Sequence, residues 1–207
     1  MKEICVVDYG VGNLFSVAHA LEECGVNVKF ITRPEDILSA GKLILPGVGA
    51  FGDCIGEIRK RGLDEAIVEY AKSGKLLLGI CVGMQVMMTK SFEFGEHAGL
   101  DLISGTVEKI SPTKANGDSH KVPYVGWSKL QVAADFIRFD KVREEWCYFV
   151  HSYMAKPENP TDIKAHYDYN GQKITAIIAK DNIIGCQFHP EKSGLVGLNF
   201  LKNIINN

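Results

Sequence analysis

The chain reads as an α/β protein with an open, mostly parallel sheet flanked by helices and an added antiparallel portion in its second half. Three observations predict this. From Ile4 to Ile80, short apolar runs alternate with segments whose apolar residues recur at helical spacing. The strand-like runs at Val7, Leu45 and Ile80 each give way to a glycine-bearing turn. Past Gly105, extended runs succeed one another, with a hairpin signal at Asn170-Gly171 between two of them. Strands alternating with helices pack as a parallel sheet covered on both faces, and the later run of strands extends that sheet or adds a small one.

Element by element, Ile4–Val7 is a strand ending at Asp8-Tyr9-Gly10-Val11-Gly12-Asn13. Leu14, Val17, Ala18 and Leu21 then mark a helix closed by Gly25. Val26–Ile31 reads as strand, and Arg33-Pro34-Glu35-Asp36 as a helix entry with proline early. Leu43–Leu45 is a buried strand stopping at Pro46-Gly47-Val48-Gly49; helices over about Phe51–Arg61 and Leu63–Ser73 follow. In the second half Gly105–Ser111, Lys129–Val132, Tyr148–His151, Ile163–Tyr169, Lys173–Ala179 and Ile183–Phe188 look extended. Asn170-Gly171 is a two-residue hairpin signal, Lys114–Lys121 with Asn116-Gly117 a polar loop, and Leu195, Leu198, Leu201 and Ile205 the stripe of a closing helix. There are no repeats or low-complexity linkers, so one domain over 1–207 is expected.

The totals narrow the function classes. A chain of 207 residues buries roughly 70% of its unfolded surface, enough for a core without staples. The 23 basic and 25 acidic residues are balanced, which argues against a nucleic-acid or membrane-surface footprint. Glu3 and Asp8 interrupt any apolar stretch at the start, so no signal peptide is expected, and no window approaches the ~20 apolar residues of a membrane helix. Cys5, Cys24, Cys54, Cys81, Cys147 and Cys186 form no Cys-x-x-Cys pair. Free thiols in a reducing cytoplasm are the expectation.

The stretch with most chemistry is Gly79-Ile80-Cys81-Val82-Gly83, the cysteine form of a nucleophile elbow, where a strand turns sharply into a helix and exposes one side chain above the sheet. Glycines flank the cysteine because a Cβ there would block close approach of backbone. A thiol at a helix N-terminus is favoured as thiolate by the dipole and free N–H groups. A structural cysteine before a core helix is the plain alternative.

Gln187-Phe188-His189-Pro190-Glu191 supplies a base. In extended backbone His189 and Glu191 point the same way, so the carboxylate can orient the imidazole that polarises the thiol. Pro46-Gly47-Val48-Gly49 supplies the second donor of an oxyanion hole, the first being the N–H of Val82.

Gly47-Val48-Gly49-Ala50-Phe51-Gly52 also satisfies Gly-x-Gly-x-x-Gly, a dinucleotide signature. It follows the third strand rather than the first, and the acids at suitable distance, Glu65 and Glu69, fall within a helix instead of at a strand end. No metal site is expected. His189-Pro190-Glu191 matches the first half of a zinc deaminase signature, but no Pro-Cys-x-x-Cys follows. Tyr9, Tyr124, Trp127, Tyr148 and Tyr153 are more naturally core or partner surface than a base-stacking platform.

Over nearly its whole length the sequence resembles the triad, class I glutamine amidotransferases, and among them the glutaminase subunits of imidazole glycerol phosphate synthases. The cysteine and histidine motifs, Gly79–Gln85 and Phe188–Ser193, are general to triad glutaminases. Asp8–Leu14, Pro46–Phe51, Lys121–Trp127 and Tyr148–Tyr153 favour the narrower group. The resemblance implies a flavodoxin-like fold and hydrolysis of glutamine to glutamate and ammonia without a cofactor, Cys81 attacking the amide, His189 shuttling protons and Glu191 orienting it. It implies glutamine held by Gly49, Gln85, Ser152 and Tyr153, and oxyanion N–H groups from Val48 and Val82. The partner it implies is a (β/α)8-barrel synthase/cyclase that receives ammonia through a channel, makes imidazole glycerol phosphate and AICAR for histidine biosynthesis, and activates the glutaminase when its ligand binds, by reorienting the loop at Gly47-Val48.

Two departures stand out. Val82 replaces the usual leucine, where only backbone contributes, and Tyr124-Val125 replaces His-Met near where the family meets its partner. These leave room for a paralogue serving surface-sugar amidation. A stand-alone γ-glutamyl hydrolase, a nucleotide-binding module and the glutaminase of pyridoxal phosphate synthase are the competing readings.

Overall fold

The computed structural model describes residues 3–114, 117–134, 136 and 142–206. Its first half contains β1 (Glu3–Val7), α1 (Leu14–Glu22), β2 (Asn27–Ile31), α2 (Pro34–Ser39), β3 (Leu43–Leu45), α3 (Phe51–Lys60), α4 (Asp64–Lys72) and β4 (Leu77–Ile80). The chain continues through α5 (Val82–Gln85), β5 (Met88–Ser91), β6 (His97–Ala98), β7 (Ile103–Lys109), β8 (Tyr124–Lys129) and β9 (Gln131–Val132). It ends with β10 (Trp146–His151), β11 (Tyr153–Pro157), β12 (Ile163–Tyr169), β13 (Gln172–Lys180), β14 (Ile183–Cys186) and α6 (Gly194–Asn206).

The main sheet runs β2-β1-β3-β4-β14-β13-β12-β9. Pairing is parallel from β2 to β14 and antiparallel beyond it. The second half therefore both extends this sheet and adds smaller ones, β11-β7-β5-β6 and the ribbon β10-β8. All residues of β3, β4 and β14 are buried, as expected for central parallel strands with helices on both faces. Ile80 of β4 pairs with Cys186 of β14, so Cys81 and Gln187 leave neighbouring strands side by side. That pairing places the site. Asn170 and Gly171 both take positive φ, 55° and 85°, forming the expected turn between β12 and β13.

Three expectations need correction. The segment after Cys81 is a single helical turn, because β5 begins at Met88 and draws the chain into the small sheet. In the closing helix α6, Leu195 is 79% exposed; the buried face carries Gly197, Phe200, Leu201, Ile204 and Ile205. The register is set by Gly197, where an added Cβ would collide with the Pro190 carbonyl. Lys129–Val132 is not one strand: Leu130 bonds Glu145 and Glu144 between β8 and β9. Asn116 of the polar loop lies outside the described residues.

Candidate active site

Cys81 adopts φ 55°, ψ −113°, a conformation disfavoured for any residue with a Cβ and kept only where the surroundings dictate it. Its N–H donates to the Cys186 carbonyl at 2.8 Å, and its carbonyl accepts from Met84 and Gln85 at 3.0 and 3.2 Å. Both flanking glycines are required. A Cβ on Gly79 would stand 2.7 Å from the Gly83 oxygen and the Met84 nitrogen, and one on Gly83 would overlap the Leu45 carbonyl. With one turn behind it, Cys81 gains little from a helix dipole, which needs aligned turns. Help for a thiolate must come from individual donors. One is Gln187, whose Nε2 lies 3.6 Å from Sγ.

His189 emerges just past β14 in extended conformation, its N–H donating to the Tyr148 carbonyl at 3.0 Å. Glu191 meets it through a 3-10 turn over Pro190–Lys192, where the sequence suggested continuous extended backbone. Nδ1 of His189 lies 2.8 Å from Glu191 Oε1, with both side chains almost wholly enclosed. The carboxylate accepts, so Nδ1 carries hydrogen and Nε2 is left for the Cys81 thiol. Burial works against protonation of His189. The hydrogen bonds and charges of Cys81 and Glu191 outweigh it and raise the pKa to about 9.

A raised histidine pKa stabilises the fold fully below the unfolded value of 6.5, and that stability is lost as pH rises through about 9. The thermal midpoint of the wild-type chain should therefore fall relative to His189→Asn across that window. Parallel melting curves for the two proteins would exclude the ion pair.

The Pro46–Gly49 loop lies against the elbow: a Cβ on Gly47 would stand 2.5 Å from the Gly83 nitrogen. Two buried donors hold the loop from beneath, Tyr9 Oη to the Pro46 carbonyl at 2.5 Å and Cys54 Sγ to the Val48 carbonyl at 3.4 Å. Gly49 takes φ 93°, which glycine tolerates best. The loop does not have the form of a dinucleotide cradle. At the start of α3, Phe51 N–H already donates to Glu93 Oε2 at 2.6 Å, so a carboxylate occupies the position a pyrophosphate would need. The third glycine, Gly52, makes room for the His97 ring instead.

A cavity of about 390 Å³ opens above Cys81. Val48, Gly49, Cys81, Val82, Gln85, Ser152, Tyr153 and His189 all line it; Glu191 stands behind His189. Val82 begins the α5 turn, so its N–H has no acceptor within the helix. Every candidate named from sequence thus converges on one place. Sequence reasoning missed Glu93 and Lys192, which bring opposite charges to the wall, His151 in the same wall, and Gln187 beneath it. Burial raises the Glu93 pKa against the pull of the Phe51 N–H. Glu93 sits in the β5–β6 turn, a segment with no strand or helix period to flag it. His151 and Gln187 lay inside quoted motifs, but nothing in one dimension showed which way their side chains turn. Among the described residues no cluster of His, Cys, Asp and Glu could hold a metal, and no helix is long and apolar enough to cross a membrane.

Likeness to known proteins identifies the family. The family model for glutamine amidotransferase class-I matches residues 5–206. The imidazole glycerol phosphate synthase subunit HisH 1 of Legionella pneumophila (strain Paris) is 44% identical, with 99% of both chains covered. The HisH subunit of Bacillus velezensis is 42% identical over 96% of this chain and 93% of its own. Among solved structures, PurLQS from Thermotoga maritima superposes with a TM-score of 0.75 at 22% identity, covering 99% of this chain and 98% of that one. A glutamine amidotransferase crystal structure gives 0.74 at 16%, covering 98% and 99%. The chain belongs to the class I glutamine amidotransferases, in the family of imidazole glycerol phosphate synthase HisH subunits.

Proposed function

We propose that this protein is the glutaminase half of an imidazole glycerol phosphate synthase, hydrolysing glutamine and passing ammonia to a (β/α)8-barrel synthase/cyclase in histidine biosynthesis. The observation that carries the reading is the buried line Cys81–His189–Glu191 opening on a cavity with Glu93 and Lys192 in its wall. Cys81 Sγ attacks the carboxamide carbon, and the negative charge moves to the former carbonyl oxygen. The N–H groups of Val48 and Val82 receive that oxyanion. His189, protonated by the thiol, gives its proton to the departing nitrogen, leaving a thioester and ammonia. It then takes a proton from water, whose oxygen attacks the thioester and frees glutamate and the thiol. Glu191 fixes the ring and stabilises the imidazolium. Gly49, Gln85, Ser152 and Tyr153 hold the substrate, with Glu93 facing its α-ammonium and Lys192 its α-carboxylate. No step uses a cofactor.

The docking face follows from the β8–β10 ribbon. Val150 and His151 of β10 line the cavity, while Val125 and Trp127 of β8 and Trp146 of β10 are each at least half exposed. Exposed apolar groups on a ribbon that also contributes residues to the cavity wall suit a partner that closes the site and receives its product.

The test is to copurify the chain with its barrel partner and follow glutamate release with and without the imidazole precursor. Release should be slow from the chain alone, rise in the complex, and rise again with precursor. Rapid hydrolysis of γ-glutamyl peptides by the isolated chain would instead favour a stand-alone hydrolase, and the proposal would fall.

A further inference from the structure

Beneath the cavity, buried polar groups run from β12 to the sulfur of Cys81. Tyr167, fully enclosed, has its hydroxyl 2.8 Å from His151 Nε2, and His151 Nδ1 lies 2.8 Å from the Tyr153 carbonyl. A carbonyl only accepts, so Nδ1 carries the hydrogen and Nε2 accepts from Tyr167. Burial lowers the His151 pKa to about 4, which keeps the ring neutral. The same carbonyl accepts from Gln85 Nε2 at 3.0 Å, and Gln85 Nε2 also donates to Gln187 Oε1 at 2.9 Å. With the Gln187 oxygen committed to Gln85, its amine faces Sγ of Cys81 at 3.6 Å. The direction of every link follows from one main-chain acceptor.

We propose that Gln187 is a further catalytic residue, its amide donating to the sulfur of Cys81 and stabilising the thiolate on a side not served by His189. Gln85 is then a positioning residue, holding the Gln187 amide in the donating orientation. The inference rests on the proposed role of Cys81 as nucleophile. A buried thiolate is costly without donors, and a single helical turn offers little, which leaves a task for a side-chain amide. Gln187 is wholly buried and absent from the cavity wall, so it serves the sulfur and not the substrate. A corollary concerns Gln85: both hydrogens of its amine are spent, so it presents only Oε1 to glutamine and must accept from a substrate N–H.

The test is the pH dependence of iodoacetamide alkylation at Cys81 in the full chain, with the adduct on the Cys81 peptide measured by mass spectrometry. The ionisable groups whose charges couple to Cys81 are His189 beyond β14, Tyr9 in the turn after β1, Cys54 in α3 and Cys186 in β14; Glu191 acts through His189, and Lys192 lines the same cavity. None of these changes in Gln187→Met, which removes the donor at similar volume. The alkylation midpoint should rise by about one pH unit, roughly a tenfold smaller thiolate fraction at neutral pH. The glutaminase kcat of the complex should fall with little change in KM.

Gln187→Glu, which turns an acceptor toward sulfur, should raise the midpoint further, and it stands in if the methionine variant does not fold. A folded variant that loses kcat while titrating at the wild-type midpoint has only a structural defect and overturns the proposal. The alkylation readout needs no turnover. A wild-type complex that fails to hydrolyse glutamine would therefore overturn the proposed function without deciding the role of Gln187.

Discussion

Replacing Cys81 with alanine is expected to lower glutamine hydrolysis by at least about 10⁴-fold, the loss seen when the nucleophile of a triad is removed. The geometry explains why nothing substitutes for it. Cys54 lies beneath the loop with its thiol committed to the Val48 carbonyl, and burial pushes its pKa up to about 11. Cys186 is fully buried beside the elbow, and burial likewise pushes its pKa well above the ordinary thiol value. The remaining residues around the cavity bind, orient or move protons. The same variant, bound to the barrel partner, should still support product formation from ammonium salts, because ammonia made elsewhere bypasses the missing thiol. Glutamate release and ammonium-dependent synthesis, measured on one preparation, separate a lost nucleophile from a lost fold. Surviving glutamine use would remove Cys81 from the proposed role and return the Gly-x-Cys-x-Gly stretch to a structural one.

How much of this was legible in the sequence depends on the range of the interaction. The strand runs at Ile4, Leu43 and Leu77 show their fate locally, because a strand buried on both faces has no polar alternation to disguise it. The elbow is equally local: Gly79 and Gly83 are fixed by backbone contacts within a few residues and by the end of β3. His189 with Glu191 was legible as a pair, though through a 3-10 turn. What stayed hidden is where long-range pairing decides. Met88–Ser91 was not separable from the helix thought to follow Cys81, since its strand character comes from pairing with β7 and β6. Glu93 joins the site only because that small sheet folds back over α3. Gln187 sat in view beside His189, yet its amide direction depends on Gln85 and Tyr153, 102 and 34 positions away in the chain.

The glycine at position 83 should be among the most sensitive backbone positions of the described residues, because it joins both halves of the proposed oxyanion hole. An alanine methyl there overlaps the Leu45 carbonyl at the end of β3 and crowds the Pro46 carbonyl carbon at 3.1 Å. Neither is a flexible side-chain tip that could swing aside. The elbow must retreat from the Pro46–Gly49 loop, or the loop from the elbow. Either movement separates the Val82 and Val48 N–H groups, which have to converge on one oxygen. Gly83→Ala should therefore destabilise the fold by about 3 kcal/mol or more, in the range of severe overpacking, and any folded fraction should lose kcat. Losing one oxyanion donor alone costs about 2.7–4 kcal/mol of barrier. Gly56 provides the internal control. It lies on the exposed face of α3, has no positive φ, and an added Cβ would meet nothing within 4 Å. Gly56→Ala should stabilise the chain by roughly 0.5–1 kcal/mol through helix propensity. Urea denaturation of the two variants should thus move in opposite directions from wild type. If Gly83→Ala unfolds at the wild-type midpoint and keeps its glutaminase kcat, the close packing of elbow and loop is not what positions the oxyanion donors.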